Sequence, residues 1–173
     1  MNDTAQSAHN IDLMSVGEEG QQYLTFMLAG EEYGVDILRV QEIKGWDTVT
    51  KIPNTPEYIR GVINLRGTIV PIIDLRLRFN LDHLEYSTVT VVIVVKVKRE
   101  NSKERTMGIV VDAVSDVYNI SSEDFKDAPD FGTAVDTNFV KGLTTVNEKM
   151  VILLDIDHMC NSAELQVIDS ISE

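Results

Sequence analysis

Short runs of β-branched and aromatic residues, separated by turn residues, recur along the chain from Tyr23 onward. The runs are YLTFMLAG, EEYGVDI, GVINL, TIVPIIDL, STVTVVIVVKVKR, TMGIVVDAVSDVYNI and KMVILLDI. Runs of this length and composition are typical of β-strands. Helical periodicity is confined to DILRVQEI, to the residues after Asp74 and to DHMCNSAELQVIDSI. The pattern therefore predicts a mainly β protein with short helices and a C-terminal helix.

The chain contains an internal repeat. IRGVINLRGTIVPIIDL (residues 59–75) aligns without gaps with VKGLTTVNEKMVILLDI (residues 140–156), and GVDILRVQEI aligns with GIVVDAVSDV earlier in the same order. The matched pairs of the longer segment include Gly61 with Gly142 and Asp74 with Asp155. Each unit holds about five short strands, which is enough to curl into a small barrel that hides its edges. The repeat predicts two β-barrels packed together.

This repeat suggests a division of the chain into segments. Residues 1–20 are polar, acidic and aperiodic, and we expect a loose tail there. The folded domain is predicted over 21–165, with the first barrel at roughly 21–85 and the second at roughly 86–158; an exchange of strands between the barrels is left open. A C-terminal helix and tail are predicted over 159–173.

Composition and charge limit the classes of partner. The formal net charge is -13, which repels the phosphates of nucleic acids and anionic lipid surfaces. The apolar run Val91–Val95 is far shorter than the roughly 20 residues of a membrane-spanning helix. The start of the chain lacks the features of a signal peptide, and Cys160, the only cysteine, has no intrachain partner. We expect a cytoplasmic protein without direct membrane insertion that does not bind nucleic acid.

Few residues suggest catalysis. The chain has no nucleophile motif and no phosphate-binding glycine loop. Asp74 and Asp155 could form a carboxylate pair in a small β-barrel hydrolase or ligand-binding protein. Capping of the turn or helix that follows each strand explains these two aspartates better. DIDH, from Asp155 to His158, lacks the spacing of calcium or zinc sites. We therefore predict a protein that is not an enzyme and holds no metal or cofactor.

An arginine occupies a predicted hairpin turn. Arg66 lies between GVINL and TIVPIIDL, and its repeat counterpart is Asn147. Asparagine tolerates the left-handed backbone of such turns, whereas arginine gains nothing comparable there. Asn64, Arg66 and Gly67 place an amide, a planar guanidinium and a bare backbone at one hairpin tip, a combination suited to gripping carboxylates or carbonyls of a partner. We interpret this tip as a recognition element.

Three of these segments together resemble the CheW family of bacterial chemotaxis coupling proteins. They are EEYGVDILRVQEI, IPNTPEYIRGVINLRGTIVPIIDLRLRF and GIVVDAVSDV, and the resemblance extends from about Gln22 to about residue 168. It implies two five-stranded SH3-like barrels. It also implies a non-catalytic adaptor, located in the cytoplasm and recruited to membrane receptor clusters, that joins transmembrane chemoreceptors to the histidine kinase CheA.

The resemblance further implies that the cytoplasmic helical tip of the receptor docks beside the first barrel. The matching positions are Ile37, Val40, Glu42, Ile43, Gly61, Asn64, Arg66 and Gly67. The aliphatic members could accept an amphipathic helix, or they could belong to the core; the sequence leaves both open. The regulatory domain of CheA is similar to CheW, so the two can meet end to end through unlike barrels, and such contacts can close into rings or arrays.

Overall fold

A computed structural model of the chain describes residues 20–99, 103–127 and 139–160. The strands in these ranges are β1 (Gly20–Leu28), β2 (Glu31–Asp36), β3 (Val40–Gly45), β4 (Ile59–Leu65), β5 (Thr68–Asp74), β6 (Val91–Lys98), β7 (Glu104–Val111), β8 (Ala113–Ser121), β9 (Val140–Val146) and β10 (Lys149–Leu154). The helices are α1 (Leu75–Arg78) and α2 (Ile156–Cys160), and 3₁₀ turns cover Ile37–Arg39 and Ser122–Asp124. Most of the predicted N-terminal tail and most of the segment predicted over 159–173 lie outside the described residues.

The strands form two five-stranded sheets. The first has the order β8-β1-β2-β10-β9 and the second has the order β3-β6-β7-β5-β4. All neighbouring strands are antiparallel except the pairs β2-β10 and β5-β7, which are parallel. The predicted fold class, mainly β with two five-stranded units and short helices, is confirmed.

Each sheet combines strands from both repeats. β1 and β2 of the first repeat pair with β8, β9 and β10 of the second, while β6 and β7 complete the sheet of β3, β4 and β5. The parallel pairs cause this exchange, because they align Gly34 with Leu153 and Gly108 with Ile72. In the sequence repeat Gly34 is equivalent to Gly108, and Ile72 is equivalent to Leu153. The boundary predicted near residue 85 therefore separates the two repeats but does not separate the two sheets.

The hydrophobic core has three parts. A central cluster lies between the sheets, and a smaller cluster lies within each sheet. Adjacent residues on β5 contribute to different parts: Ile73 is buried in the central cluster and Ile72 in the cluster of the second sheet. Leu154 and Leu153 on β10 are divided in the same way. Because these strands are buried on both faces, their sequences are continuous apolar runs.

The segment DILRVQEI differs from its predicted helical form. The carboxylate of Asp36 accepts a hydrogen bond of 2.9 Å from the backbone N–H of Leu38, which supports only one 3₁₀ turn. Val40 then adopts an extended backbone and begins β3, which pairs with β6. The prediction of a helix here was wrong because backbone pairing with β6 overrides the local periodicity. The helix predicted after Asp74 is present as α1, about one turn long, and a helix begins at Ile156 as α2. The rest of the predicted C-terminal helix lies outside the described residues.

Two bidentate ion pairs join the repeats. The guanidinium of Arg76 donates to Asp112 at 2.8 and 2.7 Å, and that of Arg39 donates to Asp157 at 3.0 and 2.6 Å. Burial alone would raise the pKa of Asp112, but hydrogen bonds from Arg76 and from the N–H of Ala29 outweigh it, so the pKa is lowered. Arg76 and Asp157 directly follow the aligned segments 59–75 and 140–156 and have opposite charges, whereas Arg39 aligns with Ala113 and not with Asp112.

Candidate protein-binding site

The β4-β5 hairpin ends in a two-residue turn with left-handed backbone at both positions. Arg66 has φ 51° and Gly67 has φ 88°, as in the turns that match the twist of paired strands. The Asn64 side-chain oxygen accepts a hydrogen bond of 2.8 Å from the N–H of Gly67 and so closes the turn. A left-handed backbone costs a residue such as arginine about 1 kcal/mol. The turn itself therefore does not favour an arginine at this position.

The side chain of Arg66 is oriented by an ion pair. Its Nη1 lies 2.8 Å from Oε2 of Glu42 on β3, yet 76% of the side chain remains exposed. An ion pair this exposed contributes no more than about 1 kcal/mol to stability. It does bring together β3 and the β4-β5 turn, which belong to opposite edges of the second sheet. The main-chain bridge between Thr50 and Val62 joins the segment after β3 to β4 at the opposite edge, and the sheet curls into a barrel.

The predicted candidates on β3 divide between two faces of the strand. Glu42 lies opposite Val94, which belongs to the cluster inside the second sheet, whereas Ile43 lies opposite Ile93 of the central cluster. Directly opposed residues in a sheet point to the same face. Glu42 therefore points toward the barrel mouth with Arg66, and Ile43 points to the other side, where 46% of it is exposed. The hairpin tip and Ile43 form two adjoining surfaces rather than one groove.

Three other predicted candidates have structural roles. Ile37 and Val40 are half-buried and pack against the central cluster, so core packing accounts for much of their apolar surface. Gly61 is buried with φ 140°, and a Cβ there would overlap the carbonyl oxygen of Thr50. The absence of a side chain at Gly61 permits this close approach of two backbones. Its surface is not available to a partner in this arrangement.

Exposed apolar residues that the sequence did not identify lie near the predicted ones. Leu38 is 83% exposed in the turn before β3. Ile69 is opposite Asn64 in the hairpin and is partly exposed. Its counterpart in the repeat, Met150, is also exposed, although the sequence shows only that both positions are apolar. Nothing in the sequence distinguishes Leu38 from the half-buried Ile37 beside it.

The two repeat-related aspartates act as helix caps. Asp74 is buried, and its Oδ1 accepts hydrogen bonds from the N–H groups of Arg76 and Leu77, while its Oδ2 accepts one of 2.6 Å from the hydroxyl of Tyr86. Burial and this hydrogen bond raise the pKa of Tyr86. Asp155 accepts a hydrogen bond from the N–H of His158 in α2. The capping interpretation of both aspartates is confirmed, and it leaves little of the Asp74 carboxylate for acid or base chemistry.

The DIDH segment is similarly occupied by structural contacts. The carboxylate of Asp157 accepts hydrogen bonds from the guanidinium of Arg39 and, at 2.7 Å, from the backbone N–H of Lys98. Burial raises the pKa of the Cys160 thiol to about 12, so the group remains a protonated packing residue at neutral pH.

Within residues 20–99, 103–127 and 139–160, no cluster of three acidic, histidine or cysteine side chains could hold a metal ion. In the same part of the chain no helix is both long and apolar enough to cross a membrane.

Comparisons with known proteins agree with this architecture. The sequence model of the family described as CheW-like domain matches residues 22–164. The Chemotaxis protein CheW of Klebsiella aerogenes is 47% identical over 154 residues, 89% of this chain and 90% of that protein. The Chemotaxis protein CheW of Rhizobium meliloti is 34% identical, with coverage of 84% and 90%. The crystal structure of the scaffolding protein TtCheW from Thermoanaerobacter tengcongensis superposes with a TM-score of 0.73 at 35% identity, covering 84% of this chain and 95% of that one.

Proposed function

The chain belongs to the CheW family, and we propose that it is a non-catalytic chemotaxis adaptor that couples transmembrane chemoreceptors to the histidine kinase CheA. The names of its relatives and of the solved scaffolding protein support the role in chemotaxis and scaffolding. The use of Asp74 and Asp155 as helix caps supports a role without catalysis. The protein acts in the cytoplasm and reaches receptor clusters by binding other proteins.

The receptor's cytoplasmic helical tip docks on the β4-β5 hairpin and on the adjoining face of β3. The observation that carries this part of the proposal is Arg66, which accepts an unfavourable backbone conformation, is aligned by Glu42 and is still 76% exposed. A guanidinium fixed in this way can donate to carboxylates or carbonyl oxygens of a helix with little further loss of conformational freedom. Ile43 supplies an apolar contact beside it for the same helix.

The equivalent surface of the first sheet suits a different partner. Val117 and Met150 correspond in the repeat to Ile43 and Ile69, and 41% and 54% of their surfaces are exposed. The arginine of the hairpin is replaced there by Asn147. The two ends of the molecule thus share an apolar pattern but differ in charge. We assign the end containing Met150 to the regulatory domain of CheA, and such unlike contacts can repeat into rings or arrays.

Charge reversal at the hairpin tip tests the receptor contact. Arg66→Glu is expected to weaken recruitment of CheA to receptor-containing membranes by about tenfold or more, because a carboxylate replaces the donor fork and faces Glu42. Arg66→Ala is expected to have a smaller effect. The measurement is co-sedimentation of CheA with these membranes as the concentration of the adaptor is varied. Lys51→Glu, a charge reversal at another exposed position, is the matched control and should recruit as the wild type does.

Thermal unfolding followed by circular dichroism separates binding from folding. Both Arg66 variants should remain within about 1 kcal/mol of the wild type in unfolding free energy, since the ion pair they remove is exposed. Normal recruitment by a folded Arg66→Glu protein would exclude the hairpin tip as the receptor contact. Failure of the wild type to bind either receptor or CheA would exclude the adaptor function itself.

A further inference from the structure

The methionines of this protein differ widely in their exposure. Four of the six lie in the part of the chain that the structure describes. Met107 and Met159 are fully buried in the central cluster, and Met27 on β1 is half-buried. Met150, near the start of β10, is 54% exposed. A small oxidant arriving from solvent therefore meets the sulfur of Met150 before those of the other described methionines.

The thiol of Cys160 does not compete for such an oxidant. Cysteine reacts with peroxides as the thiolate. Only 5% of Cys160 is exposed, and burial raises the pKa of its thiol to about 12. The thiol is therefore both shielded and protonated at neutral pH. Within the described ranges, Met150 is the sulfur group that peroxide reaches most readily.

Met150 belongs to an apolar face of β10 that begins in the core. Alternate residues of a strand point to the same face, and Met150, Ile152 and Leu154 form such a set. Leu154 is buried in the central cluster, Ile152 packs against this cluster at half burial, and Met150 is largely exposed. Apolar surface thus continues from the core to the β9-β10 turn, where a partner can cover it.

Met150 differs chemically from the other exposed apolar residues. In the described ranges, seven large hydrophobic residues are substantially exposed: Leu38, Ile43, Ile69, Leu84, Val89, Val117 and Met150. Six of these have hydrocarbon side chains, whereas methionine carries a thioether that peroxides convert to a polar sulfoxide. The repeat counterpart of Met150 is Ile69, which lies on the hairpin of Arg66. The two ends of the molecule therefore share an apolar position, but only the end containing Met150 can be made polar by oxidation at that position.

We propose that Met150 is a site of reversible oxidation by peroxides, and that its sulfoxide weakens the contact with the regulatory domain of CheA. This inference rests on the assignment of that end of the molecule under the proposed function. Oxidation acts on the unbound protein, in which Met150 is exposed. The sulfoxide oxygen then opposes burial against an apolar partner surface that offers it no hydrogen bond. Methionine sulfoxide reductases, one for each epimer, restore the thioether.

The oxidation step is a two-electron oxygen transfer. The sulfur of Met150 attacks one oxygen of hydrogen peroxide, so that an S–O bond forms as the O–O bond breaks. The departing hydroxide takes the proton of the transferred hydroxyl group and becomes water. Sulfur is oxidised, and the peroxide is reduced to water. The reaction needs no catalytic group of the protein, so exposure of the sulfur controls where it occurs.

Peptide mapping by mass spectrometry tests the selectivity of this modification. The folded chain is treated with dilute hydrogen peroxide for increasing times, and circular dichroism verifies that the fold is retained. The Met150 peptide is expected to gain one oxygen at least about tenfold faster than the Met107 and Met159 peptides, because the core shields these two sulfurs. Unfolding in urea should make the rates similar. Equal rates at Met150 and Met159 in the folded protein would overturn the proposal.

Calorimetric titration with full-length, untreated CheA tests the consequence for binding. Conversion of Met150 to the sulfoxide should weaken the affinity by about tenfold, which corresponds to about 1.4 kcal/mol. Subsequent treatment with both sulfoxide reductases should restore it. In Met150→Leu, peroxide should not change the affinity from that variant's own untreated value. Met27→Leu is the matched control, since it removes the half-buried methionine and should lose affinity on oxidation as the wild type does.

Different failures of this experiment have different meanings. An unchanged affinity after conversion of Met150, or an equal loss in Met150→Leu, would overturn the proposal; the second result would assign the effect to another methionine. Oxidation should leave binding to receptor-containing membranes without CheA unchanged, and a parallel loss there would show general damage and overturn it as well. Failure of the untreated wild type to bind CheA would overturn the proposed function itself, and this inference with it.

Discussion

Replacing Gly61 with alanine is expected to lower the free energy of unfolding by about 3 kcal/mol or more. Two effects add at this position. The backbone has φ 140°, which side chains rarely allow, and the new Cβ would overlap the carbonyl oxygen of Thr50. That oxygen and the N–H of Thr50 form 2.9 Å hydrogen bonds with Val62, which join the segment after β3 to β4 at the opposite edge of the second sheet. The substitution therefore opens the barrel as well as straining the chain.

Urea denaturation followed by circular dichroism measures this effect. Gly45→Ala is the matched control, since a Cβ at Gly45 meets no atom within 4 Å, and we expect a change within about 0.5 kcal/mol. Gly142→Ala, at the equivalent position of the other repeat, should be intermediate, because its Cβ would meet Phe125 and Lys126 without a left-handed backbone. If Gly61→Ala unfolded at the same urea concentration as Gly45→Ala, the close backbone approach at Gly61 would be refuted.

Division of the chain after Glu85 is expected to abolish folding of both separated pieces. The piece 1–85 keeps β3, β4 and β5 but lacks β6 and β7, which lie between them in the second sheet. The piece 86–173 keeps β8, β9 and β10 but lacks the intervening β1 and β2. Each piece also lacks the residues that the other piece contributes to the central cluster. The apolar surface left exposed is too large for either half of the core to compensate.

Mixing the two pieces in equal amounts should restore the fold, because the four missing strand pairs, β1-β8, β2-β10, β3-β6 and β5-β7, then form between the pieces. Circular dichroism and urea unfolding of each piece alone and of the mixture provide the measurement. Cooperative unfolding is expected only in the mixture. A single piece that unfolds cooperatively by itself would contradict the exchange of strands and would favour two barrels formed from consecutive sequence.

The repeat made much of this fold predictable, but it did not determine which strands pair across the two repeats. Equivalent positions in the sequence, such as Gly61 and Gly142, have equivalent strand partners, opposite Ile72 and Leu153. Duplicated strands, however, can pair within their own repeat or across to the other with the same local contacts. The choice depends on the long-range parallel pairs β2-β10 and β5-β7, and strand propensity carries no information about these.

The geometry of the candidate binding surface was predictable where local chemistry decides it. The turn residues Asn64, Arg66 and Gly67 could be located because left-handed turns have strong residue preferences and an arginine departs from them. The exposure of Leu38 could not be predicted, since it depends on a tertiary ion pair between Arg39 and Asp157, which are far apart in sequence. The period of the apolar residues suggested a helix in that segment, and pairing with β6 replaced it with a strand.

Reconstitution of receptor, CheA and this protein tests the adaptor function most directly. The measurement is the rate of CheA autophosphorylation from ATP on receptor-containing membranes, with and without the chain and with and without a receptor ligand. A receptor controls a kinase only if its signalling states differ in their free energy of contact with the coupled assembly. We expect ligand-dependent rates only when the chain is present. Ligand control that is equally strong without the chain, or absent with it, would contradict the account.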